Sequence, residues 1–318
     1  MPEQIRNAVI IYNPTSGRKR SRRLRAIEEA AQVLQASGID AQLLPTTAAG
    51  SATELARDAA QNGCGMVVVC GGDGTINEVV NGIAGTDAPL AVLPAGTANI
   101  LAKELGIPWD IPAAARLIAH GKLVRIALGL AQWRATEKHA RSIPTQRYFL
   151  CVSGAGPDGA IVHGIDVAHK ARVGILAYWL EGLRQFFTYS FPPFTVESAE
   201  RTLTASLIVV GRTKYYGGPF RITVGASLFE DSFELVAYTR RSRLGILACL
   251  PAIWMGRLQR VNGIQTWKTS RFRCQPVDGA EIFSQLDGEP ASALPVEFSI
   301  VPQALTLVLP EGFSPNGA

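Results

Sequence analysis

At 318 residues the chain is long for a single hydrophobic core, and 47% of its residues are apolar, with 31 Gly and 19 Pro. That composition fits a two-domain globular protein and excludes the disordered and fibrous classes. The net charge of +5, from 31 basic and 26 acidic residues, suits anionic phosphates or an anionic membrane surface and is too mild to indicate nucleic-acid binding.

Five cysteines with no C-x-x-C pair and four histidines without zinc-ligand spacing argue for a reducing compartment, with neither a disulfide framework nor a zinc site. Residues 1–7 are charged and lack signal-peptide architecture. The longest apolar stretch, 244–256, contains Pro251 and is too short to span a bilayer. The expectation is a cytoplasmic protein.

The first part of the chain alternates strand and helix signals. Residues 8–12 form a continuous apolar run, as a strand covered on both faces requires. A helix over 22–37 carries Leu24, Ile27, Ala31 and Leu34 on one face and stops at Gly38. Residues 40–44 read as the second strand, and Ser51 with Glu54 reads as a capping box opening a helix that Gly63 ends. Residues 66–70 give the third strand. Ile76, Val79, Val80 and Ile83 then follow at helical spacing, before a fourth strand at 90–93 and helices at 99–105 and 112–120.

This alternation predicts a parallel sheet, whose ligands bind at the carboxyl ends of the strands. The polar loops 13–17, 46–52, 71–77 and 94–99 all fall there. From about residue 124 the texture changes to short strands at 124–130, 148–152, 204–210, 220–224 and 233–238, with helical patterns at 173–187 and 244–260. This reads as a mainly antiparallel β domain. The divisions are 1–124, 125–298, and a C-terminal strand and tail at 299–318 that has a return to the first domain among its options.

Gly71-Gly72-Asp73-Gly74-Thr75 follows a buried strand and opens a helix. Glycines let a backbone approach a phosphate closely, and N–H groups at a helix start attract anions. Asp73 adds a carboxylate suited to Mg²⁺ or to orienting a phosphate. Asn13-Pro14-Thr15-Ser16-Gly17 repeats the device one strand earlier and is followed by a run of basic residues. Pro94-Ala95-Gly96-Thr97-Ala98-Asn99 supplies a third glycine turn. Asp287-Gly288, taken alone, reads as a hairpin turn.

Together these segments resemble the diacylglycerol kinase catalytic domain, in particular bacterial lipid kinases of the DgkB and YegS type, relatives of the sphingosine and ceramide kinases. The resemblance extends to Ser153-Gly154-Ala155-Gly156-Pro157-Asp158, to Tyr216-Gly217-Gly218-Pro219-Phe220 with Ala226 and Asp231, and to Leu286-Asp287-Gly288-Glu289-Pro290. It implies an α/β N-terminal domain with a parallel, doubly wound, NAD kinase/phosphofructokinase-like sheet and a mainly antiparallel β C-terminal domain, with the active site in the interdomain cleft.

The resemblance further implies an ATP-dependent lipid kinase that transfers the γ-phosphate to a hydroxyl of diacylglycerol or a related lipid. ATP would be held by Asn13, Pro14, Thr15, Ser16, Gly17, Thr46, Gly72, Asp73, Gly74, Thr75, Ile76, Asn77, Glu78 and Thr97. Asp287 or Glu289 would deprotonate the acceptor. A structural Mg²⁺ would sit on Asp231 with the carbonyls of Leu228 and Phe233, although Ser232 and Ile100 depart from the family's pattern. Asp158 aligns with a headgroup-contacting position of sphingosine kinases and otherwise reads as a structural turn. The implied partner is a lipid at the inner face of the membrane, met by peripheral contact through 173–187 or through Arg240, Arg241 and Arg243, and no nucleic acid. Oligomeric state stays open, a homodimer included. The alternatives are a kinase of soluble substrates, as in NAD kinases, and a non-catalytic nucleotide-binding regulator.

Overall fold

The computed structural model describes residues 5–14, 20–134, 145–165, 181, 184–185 and 188–314. The chain divides into two compact units, Met1–Leu128 with Pro302–Ala318, and Gly129–Val301. The apolar pattern at 173–187 falls almost wholly outside the described residues.

The first unit runs β1 (Asn7–Tyr12), α1 (Arg20–Ala36), β2 (Asp40–Pro45), α2 (Ser51–Gln61), β3 (Val67–Gly71), α3 (Asp73–Ile83), β4 (Pro89–Pro94), α4 (Ile100–Glu104), α5 (Ile111–Ala119) and the start of β5 (Lys122–Trp133). The second holds the rest of β5, β6 (Gln146–Phe149), β7 (Val152–Ala155), α6 (Pro157–Gly164), β8 (Phe194–Ser198), β9 (Thr202–Ala205), β10 (Leu207–Gly211), β11 (Tyr215–Tyr216), β12 (Phe220–Arg221) and β13 (Phe233–Tyr238). It continues through α7 (Arg243–Trp254), β14 (Ile264–Thr269), β15 (Arg271–Pro276), β16 (Phe283–Leu286), β17 (Glu289–Ala293) and the start of β18 (Val296–Leu309), whose end belongs to the first unit.

In the first unit the strands lie in the order β2-β1-β3-β4-β18 and every pair is parallel. β3 and β4 are buried along their whole length, which explains their unbroken apolar sequences: helices cover both faces of a parallel sheet. Tyr12 lies opposite both Pro45 and Cys70, and Gly71 opposite Pro94. The carboxyl ends of four strands are therefore level, and the loops after them start from one row.

The expected Ser51–Glu54 capping box does not form. Gly50 is the N-cap of α2, and the Ser51 hydroxyl instead accepts the Thr47 and Ala48 N–H groups. The first turn of α2 is served from α3, where a Glu78 carboxylate oxygen accepts the Ala52 N–H at 3.1 Å and the Glu78 carbonyl accepts the Thr53 hydroxyl at 2.9 Å. A glutamate from a neighbouring helix outcompetes the local partner because it also neutralises the positive end of α2.

The second unit is an antiparallel β-sandwich. One layer carries β18-β15-β8-β9 and the other β14-β13-β10-β7-β16-β17. Between them sit Phe149, Phe194, Phe233, Phe272 and Phe298, with Phe272 and Phe298 stacked at 4.6 Å and Phe149 and Phe233 at 5.6 Å. Alternate residues of β10 and β13, Val209 and Val236, face the other way into a smaller core under α7.

Two segments that read as single strands are each divided. Residues 148–152 split into β6 and β7, and 204–210 split into β9 and β10, the pieces pairing in different layers. At the second break Ser206 is buried, its N–H donating to the Tyr238 carbonyl at 2.9 Å and its hydroxyl to the Arg240 carbonyl at 2.5 Å. Residues 220–224 form a strand only over Phe220–Arg221.

Candidate active site

The glycine turns of the first unit are brought together at the level strand ends. Asn13 N–H donates to the Cys70 carbonyl, Thr46 N–H to Tyr12, and Ala95 N–H to Gly71. Gly72 and Gly96 touch backbone to backbone: a Cβ on Gly96 would lie 2.4 Å from the Gly72 Cα. Two turns can approach this closely only if both lack side chains.

Asp73 fastens them. Its two oxygens accept the N–H groups of Asn99 at 2.9 Å and Ile100 at 2.8 Å, which ties the Pro94–Asn99 loop to the start of α3. Asn99 is buried in the left-handed region (φ 43°), and its side-chain oxygen accepts the Gly96 N–H. Asn99 thereby shapes the glycine turn that the sequence places at 94–99.

The remaining expected nucleotide residues separate by exposure. Gly72 is the N-cap of α3, Asp73, Gly74 and Thr75 form its first turn, and Thr97 is exposed. Ile76 and Asn77 are buried, with Asn77 accepting from Asn81, and Glu78 holds α2. Asn13 and Thr46 are half-buried and Pro14 exposed, while Thr15, Ser16 and Gly17 lie outside the described residues. Burial pushes the Cys70 thiol up to about 12, so the cysteine beside the loop is a core residue and no nucleophile. A cavity of about 340 Å³ lined by Asn7, Asp40, Asp58 and Cys64 opens at the amino ends of β1 and β2, away from these turns.

In the second unit Asp287 and Gly288 form a two-residue hairpin between β16 and β17, with φ of 50° and 79°. The hairpin reading of this segment holds, and the turn also carries a buried carboxylate. One Asp287 oxygen accepts the N–H of Leu150 at 2.8 Å, and the other accepts those of Cys151 at 2.8 Å and Val152 at 2.9 Å. These are the donors orphaned where β6 gives way to β7. Glu289 follows as the first residue of β17 and is half-buried.

Asp158 is buried at the start of α6 and joins the same structure. It accepts from the Tyr216 hydroxyl and, at 2.9 Å, from the Gln285 side chain, whose own oxygen accepts the Gly288 N–H at 2.8 Å. A side chain on Gly154 would collide with the Asp158 carboxyl group. Burial pushes the Asp158 pKa up to about 7, against the opposing pull of the Gln285 hydrogen bond.

Arg212, directly after β10, was not singled out in the sequence, although a lone charge ending a buried apolar strand is a usable signal. It is fully buried. Its guanidinium donates to the carbonyls of Leu228 at 2.8 Å, Glu230 at 3.2 Å and Ser232 at 3.5 Å. Burial lowers its pKa to about 10, with Asp231, Cys151 and Asp287 pulling the other way, so it remains charged at neutral pH. The expected magnesium ligands were Leu228, Asp231 and Phe233. The Leu228 carbonyl is taken by the guanidinium, the Asp231 side chain is exposed, and Phe233 is paired to Thr269 in the sheet. Among the described residues no group of three or more His, Cys, Asp or Glu is placed to hold a metal.

Three outcomes follow from this geometry. Asp287→Asn keeps a residue that tolerates the left-handed turn but turns an NH₂ group toward a backbone donor, so chemical denaturation should show a loss of about 2–4 kcal/mol. For Asp158 the folded pKa is raised, so the native state holds the extra proton and its contribution to stability falls as pH rises from about 4 to about 7. Denaturation midpoints should show a slope of up to about 1.4 kcal/mol per pH unit in that window, absent in Asp158→Asn. Finally, Arg212→Met should melt well below wild type, because the carbonyls of Leu228, Glu230 and Ser232 lose the cation they are arranged around.

Comparison with known proteins agrees with this architecture. Residues 7–131 match the diacylglycerol kinase catalytic domain, and residues 152–309 match the YegS C-terminal NAD kinase beta sandwich-like domain. The chain is 28% identical over 312 residues to a diacylglycerol kinase of Bacillus subtilis (strain 168), covering 96% of this chain and 97% of the relative. It is 29% identical over 315 residues to a diacylglycerol kinase of Mycobacterium tuberculosis (strain ATCC 25618 / H37Rv), covering 96% of each. A crystal structure of a diacylglycerol kinase from Bacillus anthracis str. Sterne superposes with a TM-score of 0.76 at 23% identity, over 99% of both chains, which is a likeness of fold. With both domains matched in order along the chain, this protein belongs to the family of kinases that join a diacylglycerol kinase catalytic domain to a YegS-type C-terminal domain.

Proposed function

We propose that this chain is an ATP-dependent lipid kinase that transfers the γ-phosphate to a hydroxyl of diacylglycerol or a closely related lipid. The observation that carries the reading is the pair of abutting glycine turns, Gly72 and Gly96, fastened by Asp73 at the row of strand ends. Such a surface offers backbone donors and no side-chain bulk to a polyphosphate. Bound Mg²⁺-ATP supplies the phosphoryl group and the metal charge that offsets its oxygens. The chain's own work is then positioning. Asn13, Thr46, Thr75 and Thr97 offer side-chain hydrogen bonds, and the start of α3 offers N–H groups. Buried Ile76 and Asn77 contribute through the backbone alone.

The proton of the acceptor hydroxyl goes to Glu289 in this reading. Both Asp287 oxygens are already engaged by three backbone donors, whereas a general base must aim an oxygen at the substrate. Asp287 sets the turn from which Glu289 emerges, so it is a positioning residue. The matched relatives named diacylglycerol kinase support the lipid acceptor, and the level of identity leaves its headgroup to experiment.

Radiolabelled ATP presented with diacylglycerol, ceramide, a sphingoid base and phosphatidylglycerol in mixed micelles tests the whole reading. Label should enter a lipid, and Glu289→Gln should lower kcat by about 10²–10⁴-fold with the melting temperature unchanged. Full activity in Glu289→Gln would return the base to Asp287. Label in NAD or a sugar phosphate, with none in any lipid, would overturn the lipid reading in favour of a soluble-substrate kinase.

A further inference from the structure

Helix α7 departs from the pattern of a surface helix. Its inner side, Ile246, Cys249, Ala252 and Ile253, is covered, three of the four against the small core beneath β10 and β13. The opposite side should be polar. It holds instead Leu244, Leu247, Leu250 and Trp254, with Met255 just beyond, and the exposures reach 76% at Leu244, 76% at Trp254 and 59% at Met255. Nine large apolar side chains are exposed among the described residues, and five of them lie in this one segment. Scattered exposed leucines need no explanation, but a continuous helical stripe does.

Charge surrounds the stripe on both sides. Arg240, Arg241 and Arg243 precede it, Arg257 and Arg260 follow it, and all five are exposed. Between 239 and 263 there is no Asp or Glu, so this segment alone carries +5, equal to the net charge of the whole chain. The flanks are anchored: Arg241 donates to the Phe191 carbonyl at 3.2 Å and Arg243 to that of Tyr189 at 3.3 Å. The Trp254 ring meets Phe220 edge-on at 6.3 Å, which steadies the far end.

We infer that α7 is a membrane-docking helix that lays Leu244, Leu247, Leu250 and Trp254 into the interface of an anionic bilayer while the five arginines engage its headgroups. Length excludes spanning, since no helix among the described residues is long and apolar enough to cross a membrane. An apolar stripe with a tryptophan at one end and arginines at both suits the boundary between acyl chains and headgroups. A second copy of the chain fits less well: a symmetric contact would set five arginines against five, with no carboxylate in the segment to separate them.

The inference does not depend on which lipid is phosphorylated, and it is tested without ATP. Full-length protein is mixed with vesicles of phosphatidylcholine, alone or with about 30% phosphatidylglycerol, and bound protein is separated by flotation. Binding to the anionic vesicles should be about tenfold tighter or more and should weaken as salt rises. Leu250→Glu with Trp254→Glu should lose at least about tenfold in affinity while keeping its melting temperature. Arg257→Gln with Arg260→Gln should lose affinity for anionic vesicles only. The vesicle-induced blue shift of tryptophan fluorescence should disappear in Trp254→Phe.

Wild-type binding by the Leu250→Glu, Trp254→Glu variant would overturn the inference. So would a concentration-dependent dimer that the variant dissociates with vesicle binding unchanged. Assays on a short-chain, water-soluble diacylglycerol separate docking from catalysis. The docking variant should match wild type there and fall behind only on vesicle substrate. Wild type that binds vesicles yet phosphorylates no lipid would sink the kinase reading and leave the docking helix standing.

Discussion

Where β6 ends at Phe149 and β7 begins at Val152, the chain leaves one layer of the sandwich for the other, and the N–H groups of residues 150, 151 and 152 lose their ladder partners. Buried donors without partners would each cost a few kcal/mol, so the crossing exists only because something collects them. The Asp287 carboxylate collects all three. To reach them it must sit in a turn with positive φ, which Gly288 completes, and that turn is held from the other side by Gln285 and, through it, by Asp158 and Tyr216. Arg212 closes the arrangement by donating its backbone N–H to the Cys151 carbonyl at 2.8 Å. The topology of the sandwich and the placement of Glu289 therefore rest on one carboxylate.

The first unit uses the same device on a smaller scale. Asp73 takes two N–H groups at the start of α4, and Glu78 takes one at the start of α2. In each case a carboxylate answers the orphaned donors of a helix start or a strand break, where a negative group is stabilised by the local dipoles. The acids that a chemist would first assign to metal or proton transfer are thus largely engaged in shaping the loops. A glycine turn needs such a fastener: without side chains of its own it has little to hold it in the one shape that presents its N–H groups together.

Legibility followed the range of the interactions. Strands β1, β3 and β4 and helix α3 were readable because their signal is local, an unbroken apolar run or a 3.6-residue period. The glycine turns were readable for the same reason. Residues 148–152 and 204–210 misled because the alternation of side chains continues straight through each layer switch. What ends the strand is a partner far away in sequence, Asp287 at one break and Tyr238 and Arg240 at the other. Ser51 misled because the capping-box pattern says nothing of a competing Glu78 one helix further on. Arg212 was passed over since a single charge carries no period, and only the fold gathers the carbonyls of Leu228, Glu230 and Ser232 around it.

Net charge was the least specific of the sequence signals, and its meaning changes once it is located. A bias of +5 spread over 318 residues would steer the chain only weakly toward any anionic partner. The segment 239–263 holds an equal charge by itself, and the remaining acids and bases cancel. Coulombic attraction falls off within about 8–10 Å at physiological salt, so what an anionic surface meets is this local cluster and not the average. The cluster also frames a helix whose outward face is apolar, and neither feature would suffice without the other: arginines alone hold a protein loosely at a surface, and an apolar stripe alone invites self-association. Their coincidence on α7 gives the charge a direction, toward a layer that is anionic outside and apolar within.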